Sequence, residues 1–366
     1  MQLKGLEIIG CCLLALCISS CESNPVPDPN PPLELPVTHG VFILNQGGNE
    51  QNNATLSFYD PGSKTLTPVA FPSAVSPNSS EPLGDLGQDM LLYGNKLYIV
   101  VSNSSYIRVL DLGKREHLGK IILADDAGKP RAPRYLTATG GKVYVTCSTD
   151  GTVARIDTAS LKVDGSVKVG SYPEGIAVCS HNNKLYVANS GFGTGKTVSV
   201  IDIATFKEDQ KIEVGINPDI VKAYNNYVYL SYQGNWEDIP GGFQRIDAHN
   251  NTVTTLGSYP KADFSLEDGT IYYYDVTYNP VDWSVELSFG KFNTSDESYP
   301  HPSPLITDAT QLVSPFGIGI QPATKNVYIT DAIDYVNPGK VYVFNPAGKK
   351  IDEFTAGISP CKVVFY

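Results

Sequence analysis

Aromatic and amide side chains recur together in polar segments of this 366-residue chain. Asn189-Ser190-Gly191-Phe192 is one such segment, and Tyr232-Gln233-Gly234-Asn235-Trp236 is another. Exposed aromatic rings among amides and hydroxyls suit a ligand that has a broad, partly apolar face and a rim of hydrogen-bonding groups. Large polar cofactors and oligosaccharides both meet that description.

Residues that could form a catalytic or metal centre are sparse. No Gly-x-Ser-x-Gly elbow occurs, and the glycine-rich run 191–196 opens no predicted helix, so we interpret it as a hairpin loop rather than a phosphate-binding loop. Glu174 and Asp219, with Asn189, are the only candidate ligands for a metal-dependent lactonase or lyase. We therefore expect no enzyme activity, no catalytic cofactor and no metal site. The histidines are scattered and none forms a spaced ligand pair: His39, His117, His181, His249 and His301.

A repeated pattern of four short strands would position these segments. One repeat begins at Pro173 and ends at Gly215, with Gly, Asn or Pro turns between alternating strands. A strand anchored by an aromatic residue returns at a period mostly in the low forties. The pattern predicts an all-β, seven-bladed β-propeller of four-stranded antiparallel blades. The seven anchors are Phe42, Tyr98, Tyr144, Tyr186, Tyr229, Tyr272 and Tyr328.

The two ends of the repeat region predict how the ring closes. No Pro-started strand precedes Phe42, whereas the last residues, 360–366, form a Pro-started strand with nothing after it. We expect this C-terminal strand to complete the first blade, within a propeller that spans residues 39–366. An open solenoid would need capping repeats, which the sequence lacks.

The N-terminal segment predicts a lipid-anchored protein. Lys4 precedes an apolar run, and Ile18-Ser19-Ser20-Cys21 is a lipobox, so residues 1–20 are interpreted as a signal peptide and Cys21 as the acylated residue. Residues 21–38 then form a Pro-rich tether. We expect a lipoprotein of the outer membrane, exposed at the cell surface. The net charge of −11 argues against a nucleic-acid partner.

Loop lengths predict one functional face. The loops between second and third strands and those between blades are long, and antiparallel strands bring both classes to the same face. The cysteines of the domain, Cys147, Cys179 and Cys361, are expected to be free thiols. The residue after each blade-opening position should surround the mouth of the central channel: Gln88, Arg134, Glu174, Asp219, Lys261, Phe316 and Cys361.

The strand pattern Lys184-Leu185-Tyr186-Val187-Ala188-Asn189 with Val198-Ser199-Val200-Ile201-Asp202, together with the lipobox, resembles the YncE-like surface propellers. Within that group the chain looks most like the BtuG-type lipoproteins of gut anaerobes. The resemblance implies a surface protein that captures cobalamin (vitamin B12) or other corrinoids and passes them to a TonB-dependent outer-membrane transporter. Two other classes remain open: a carbohydrate-binding or adhesion propeller, and the metal-dependent lactonase or lyase.

A corrin ring has a wide apolar face and a perimeter of amides, which matches the aromatic and amide loops. Cobalt ligation by a histidine is not expected. The predicted apolar wall is Tyr106, Tyr172, Phe192, Tyr232, Trp236, Trp283 and Tyr335. The predicted polar contacts are Asn45, Asn103, Arg134, Asn189, Gln233, Asp275 and Asp331.

Overall fold

The computed structural model describes residues 40–70, 82–114, 116–258, 262–278, 284–295 and 303–366. These residues form seven four-stranded antiparallel sheets, so the predicted seven-bladed β-propeller is confirmed. The first strands of successive blades contact one another around a closed ring, and β28 completes that ring against β4. The four strands of each blade therefore radiate outward from a central channel.

The blades follow one another along the chain. Blade 1 contains β28 (Pro360–Phe365), β1 (Val41–Asn45), β2 (Thr55–Asp60) and β3 (Thr65–Thr67). Blade 2 contains β4 (Gly87–Tyr93), β5 (Lys96–Val101), β6 (Tyr106–Asp111) and β7 (Glu116–Ile122). Blade 3 contains β8 (Pro133–Thr139), β9 (Lys142–Cys147), β10 (Thr152–Asp157) and β11 (Lys162–Lys168). Blade 4 contains β12 (Pro173–Cys179), β13 (Lys184–Asn189), β14 (Thr197–Asp202) and β15 (Lys207–Glu213).

The remaining blades keep the same order. Blade 5 contains β16 (Pro218–Tyr224), β17 (Tyr227–Tyr232), β18 (Gly242–Asp247) and β19 (Val253–Ser258). Blade 6 contains β20 (Ala262–Glu267), β21 (Thr270–Tyr278), β22 (Val285–Asn293) and β23 (Ser303–Pro304). Blade 7 contains β24 (Pro315–Ile320), β25 (Val327–Asp331), β26 (Pro338–Phe344) and β27 (Lys350–Ile358).

The C-terminal strand closes the ring as predicted. In blade 1, β28 pairs with β1 and places Val364 opposite Phe42. The Gly40 amide donates to the Tyr366 carbonyl at 3.1 Å, and the Tyr366 ring stacks on Phe42 with 5.2 Å between ring centres. The first and last described residues thus share one sheet, which leaves no open inner edge in this blade.

The repeated anchors and turns have structural roles. An aspartate at the end of the third strand forms the following turn: Asp157 Oδ1 accepts from the Ser160 amide, and Asp202 Oδ1 accepts from the Thr205 amide, both at 2.8 Å. The anchor tyrosines pack between blades and are at most 2% exposed: Tyr98, Tyr144, Tyr186, Tyr229 and Tyr328. These residues therefore specify the ring rather than a ligand.

The described residues include the three cysteines of the domain but not the N-terminal segment. Cys147, Cys179 and Cys361 are free thiols, as expected. The predicted signal peptide, Cys21 and the Pro-rich tether lie outside the described residues. In the part of the chain that the structure describes, no helix is long and apolar enough to cross a membrane.

Candidate ligand-binding face

The two faces of the propeller differ in their loops. The loops that follow the second strand of each blade, and the segments that enter the next blade, emerge together because adjacent strands are antiparallel. We call this side the long-loop face. The opposite side, which carries the tight turns after the first and third strands, is the short-turn face.

Exposed aromatic side chains are confined to the long-loop face within the described ranges. Tyr172 is 43% exposed, Phe192 74%, Trp236 62% and Tyr335 48%. Each lies in a loop after a second strand or in a segment that enters a blade. Large apolar side chains that are exposed to solvent on one face are typical of a binding surface.

Three of these residues form one continuous surface across blades 4 and 5, which we call the aromatic crescent: Tyr172, Phe192 and Trp236. The Tyr172 and Phe192 ring centres lie 5.3 Å apart. The Trp236 ring packs on Gly193, where an added Cβ would lie 2.7 Å from Trp236 Cζ3. Glycine is required there, because any side chain would displace the indole and separate the two halves of the crescent.

Two crescent residues adopt a backbone conformation that is rare for large side chains. Phe192 has φ of 53° and Trp236 has φ of 60°, both in the left-handed region. Such strain persists only where surrounding contacts hold it, and it concentrates at binding sites. Tyr172 also has positive φ, but its position is architectural, because the residues before four other blade-opening strands share it: Leu86, Ala132, Asn217 and Ser359.

A cavity of about 580 Å³ opens at the centre of the ring. Phe316 and Tyr335 line one side, with their rings edge to face at 5.4 Å. Gln46, Gln88 and Gln233 line the cavity as well and supply both amide donors and acceptors. The cavity therefore combines an aromatic wall with amide groups.

Part of the predicted ring of residues lines the cavity: Gln88, Asp219, Phe316 and Cys361. Arg134 Nε lies 2.7 Å from Glu174 Oε2, and Arg134 Nη1 donates to Gln88 Oε1 at 2.7 Å. Gln233 Nε2 donates to Asp219 Oδ2. Burial raises the pKa of Glu174, against the opposing effect of Arg134. Lys261, another member of the predicted ring, lies outside the described residues.

Further charges line the cavity. Lys362 Nζ lies 2.8 Å from Asp89 Oδ1, and Tyr274 Oη donates to Asp263 Oδ2 at 3.3 Å. Burial, followed by the negative charge of Asp219, raises the pKa of Asp263 to about 6. The positive charge of Lys362, followed by burial, lowers the pKa of Lys222 to about 8. The cavity thus contains groups that change charge near neutral pH.

Several predicted polar contacts are used inside the fold. Asn45, Asn189 and Asp331 are at most 2% exposed. Asn189 Nδ2 donates to Thr197 Oγ1 and Ser199 Oγ, and Asn45 makes the equivalent pair of bonds in blade 1. Asp331 accepts from the amides of the segment that enters blade 7. These three side chains link strands and do not reach the cavity or the aromatic crescent.

The other predicted residues divide between surface and interior. Tyr106 is partly buried and donates to the Leu83 carbonyl at 2.8 Å. The partly buried Tyr232 ring packs on Gly215, and Asp275 is 5% exposed. Asn103 is exposed but bonds to a neighbouring amide and a carboxylate. Trp283 lies outside the described residues. The structure thus brings together Tyr172, Phe192 and Trp236 in the aromatic crescent. Gln233 and Tyr335 line the cavity, and Arg134 bonds to the cavity residue Gln88.

The candidate metal ligands of an enzyme are already engaged with other groups. Glu174 pairs with Arg134, Asp219 with Gln233, and Asn189 with the neighbouring strand. Among the described residues, no three His, Cys, Asp or Glu side chains are arranged to hold a metal ion.

Sequence reasoning missed the inner charges Asp89, Lys222, Asp263 and Lys362. Each lies on the first strand of a blade, one to four residues beyond its opening position. A charged residue in the innermost strand of a propeller can avoid burial only by facing the channel. That pattern would have identified these residues from the sequence.

The fold is shared with solved structures of differing description. A putative 6-phosphogluconolactonase from Bacteroides uniformis is 12% identical, with a TM-score of 0.64 over 90% of this chain and 100% of that chain. A quinonprotein alcohol dehydrogenase-like protein from Bacteroides thetaiotaomicron is 17% identical, with a TM-score of 0.65 over 90% of this chain and 78% of that chain. Hydrazine synthase of Kuenenia stuttgartiensis is 15% identical, with a TM-score of 0.63 over 75% of this chain and 92% of that chain. At these identities the similarity shows the fold alone.

Sequence comparison identifies the family. No curated protein sequence matches the chain. A family model described as a domain of unknown function, DUF5074, matches residues 39–359, which is nearly the whole propeller. The chain therefore belongs to the DUF5074 family.

Proposed function

We propose that this protein is a non-enzymatic binding lipoprotein that captures cobalamin or a related corrinoid on its long-loop face. The observation that carries the proposal is the confinement of exposed aromatic side chains to that face in the described residues. Exposed apolar patches mark interaction sites, so a ligand that covers these four rings is the simplest account of their position.

The shape and chemistry of the face support a wide ligand. The aromatic crescent spans two blades, and a flat macrocycle can cover several of its rings at once. Gln46, Gln88 and Gln233 at the cavity offer donors and acceptors to peripheral amides of the ligand. A small substrate would need neither the crescent nor this spread of amides.

Location and partner follow from the sequence resemblance. The lipobox at Cys21 would anchor the protein in the outer membrane, and the Pro-rich tether would hold the propeller at the cell surface. The bound corrinoid would then be delivered to a TonB-dependent outer-membrane transporter. This transfer is part of the proposal and calls for its own test, co-purification of the protein with the transporter.

The binding test is calorimetry with cyanocobalamin on the form that begins after Cys21. Fully burying an aromatic side chain is worth about 1.5–3 kcal/mol, so Trp236→Ala and Phe192→Ala should each weaken binding roughly 10- to 100-fold. Val163→Ala is the matched control, because Val163 is 39% exposed but lies on the outer strand of blade 3. Its affinity should equal that of the wild type.

Two results would refute the corrinoid proposal. One is the absence of a binding isotherm with cyanocobalamin. The other is equal affinity in the wild type and the two crescent variants. Exposed aromatic rings among amides also suit oligosaccharides, so binding to a glycan array in place of cobalamin would favour the carbohydrate-binding alternative.

A further inference from the structure

Two histidines that are far apart in sequence meet on the short-turn face. His181 lies in the turn between β12 and β13 of blade 4, and His249 lies in the turn after β18 of blade 5. His181 Nε2 and His249 Nδ1 are 3.2 Å apart. Both residues are exposed, on the side of the propeller opposite the aromatic crescent. The pair is therefore separate from the proposed corrinoid site.

The two imidazole rings meet edge to face rather than tip to tip. The ring centres are 4.2 Å apart, only 1.0 Å more than the 3.2 Å between the nitrogens, and the rings are inclined by 74°. A linear N–H···N bond would place the rings tip to tip, with their centres separated by the nitrogen distance plus two ring radii. The two rings instead meet at an angle, and the two nitrogens face each other at an exposed surface.

The geometry points to a divalent transition-metal site, in which His181 and His249 supply two imidazole ligands and water completes the shell. Metal–nitrogen bonds of about 2.0–2.1 Å across the 3.2 Å gap give an N–metal–N angle of about 100–106°. That angle is near tetrahedral, and imidazole is a favoured ligand of Zn²⁺, Cu²⁺ and Ni²⁺. Small rotations of two exposed side chains would direct both lone pairs at one ion.

The backbone around the pair is fixed across the blade interface. Asn182 Nδ2 donates to the Ala248 carbonyl at 3.0 Å and to Tyr186 Oη at 2.9 Å. The His249 amide donates to Asp247 Oδ1 at 2.8 Å. The residues beside both histidines are therefore held in place, which reduces the entropy lost when a metal binds.

The test is calorimetric titration of the tag-free protein with NiCl₂ and, separately, with ZnCl₂. We expect one ion per chain, and His181→Ala and His249→Ala should each weaken binding by at least about tenfold. His117→Gln is the matched control, because His117 lies in blade 2 and glutamine can still hydrogen-bond Arg108. This variant should bind both metals like the wild type.

A second measurement compares the melting temperatures of the variants with and without metal. Saturating Ni²⁺ should raise the melting temperature of the wild type and of His117→Gln, and leave the two alanine variants unchanged. The proposal is overturned if the wild type binds neither metal at millimolar concentration. It is also overturned if His181→Ala and His249→Ala bind with wild-type affinity. Cyanocobalamin binding should be unaffected by all three substitutions, so the two proposals can fail separately.

Discussion

Asn189→Ala distinguishes a structural asparagine from a ligand contact. In the structure its side chain is 2% exposed and joins three partners in blade 4. Nδ2 donates to Thr197 Oγ1 at 3.0 Å and Ser199 Oγ at 2.9 Å, and Oδ1 accepts from the Gly170 amide at 3.0 Å. Alanine removes all three hydrogen bonds and provides no new hydrogen-bonding group for the three partners.

The expected loss of folding stability follows from these three hydrogen bonds. A net contribution of about 0.5–1.5 kcal/mol for each hydrogen bond predicts a loss of about 2–4 kcal/mol in the free energy of unfolding. Asn103→Ala is the control, because Asn103 also bonds to two side chains but is exposed. That substitution should cost less than about 0.5 kcal/mol.

Urea denaturation of the two variants, followed by circular dichroism, measures both losses. The midpoint should fall for Asn189→Ala while the slope of the transition stays constant. Cyanocobalamin affinity, measured below the transition, should match that of the wild type. A loss of stability below about 1 kcal/mol, accompanied by a large loss of affinity, would refute the structural assignment and make Asn189 a ligand contact.

Three further predictions concern closure, pH and thiol reactivity. Removal of residues 360–366 deletes β28, so the truncated protein should lack a cooperative thermal transition; a wild-type melt would contradict closure by this strand. Because the pKa of Asp263 is raised to about 6, the folded protein keeps this proton between about pH 4 and pH 6, whereas the unfolded chain has lost it. Wild-type stability therefore falls as pH rises through this range. Asp263→Asn should therefore gain about 2–3 kcal/mol in stability relative to the wild type between pH 4 and pH 7, measured by urea midpoints; an unchanged difference would exclude this titration. Cys147 and Cys179 are buried, and burial raises the pKa of Cys147 to about 12, so dithionitrobenzoate should label them only in denaturant; rapid labelling of the native protein would show that the blades open.

The sequence was sufficient to predict the ring because the signal for each blade is local. Alternating strands and turn-forming aspartates such as Asp157 and Asp202 act within one repeat, and the buried tyrosines recur at one position of the repeat. Closure could be predicted because a Pro-started strand at the C-terminus matched a missing strand at Phe42. These features depend on residues that are neighbours in sequence or in the same sheet.

Asn45 and Asn189 show why the polar contacts were harder to assign. Both end a second strand, where the chain enters a loop on the long-loop face, and position alone suggested ligand contacts. Each is followed by a third strand that begins Thr-x-Ser, and the antiparallel register places that threonine opposite the asparagine. The repeated combination of Asn with Thr-x-Ser indicates an internal clamp, because both hydroxyls face the same amide. This pattern was available in the sequence.

The aromatic crescent depends on a contact that no local pattern specifies. Tyr172 enters blade 4, Phe192 follows its second strand, and Trp236 belongs to blade 5, so their assembly requires the packing of Trp236 on Gly193 across the blade interface. The contact between His181 and His249 also joins two blades, and their spacing along the chain does not predict that they meet. In a propeller, the loops of adjacent blades meet at the two faces, so a site formed between blades is visible only after the loops have been assigned to faces. Comparison of the loops that share a face in adjacent blades, rather than of spacing along the chain, is therefore the appropriate search for binding sites in this fold.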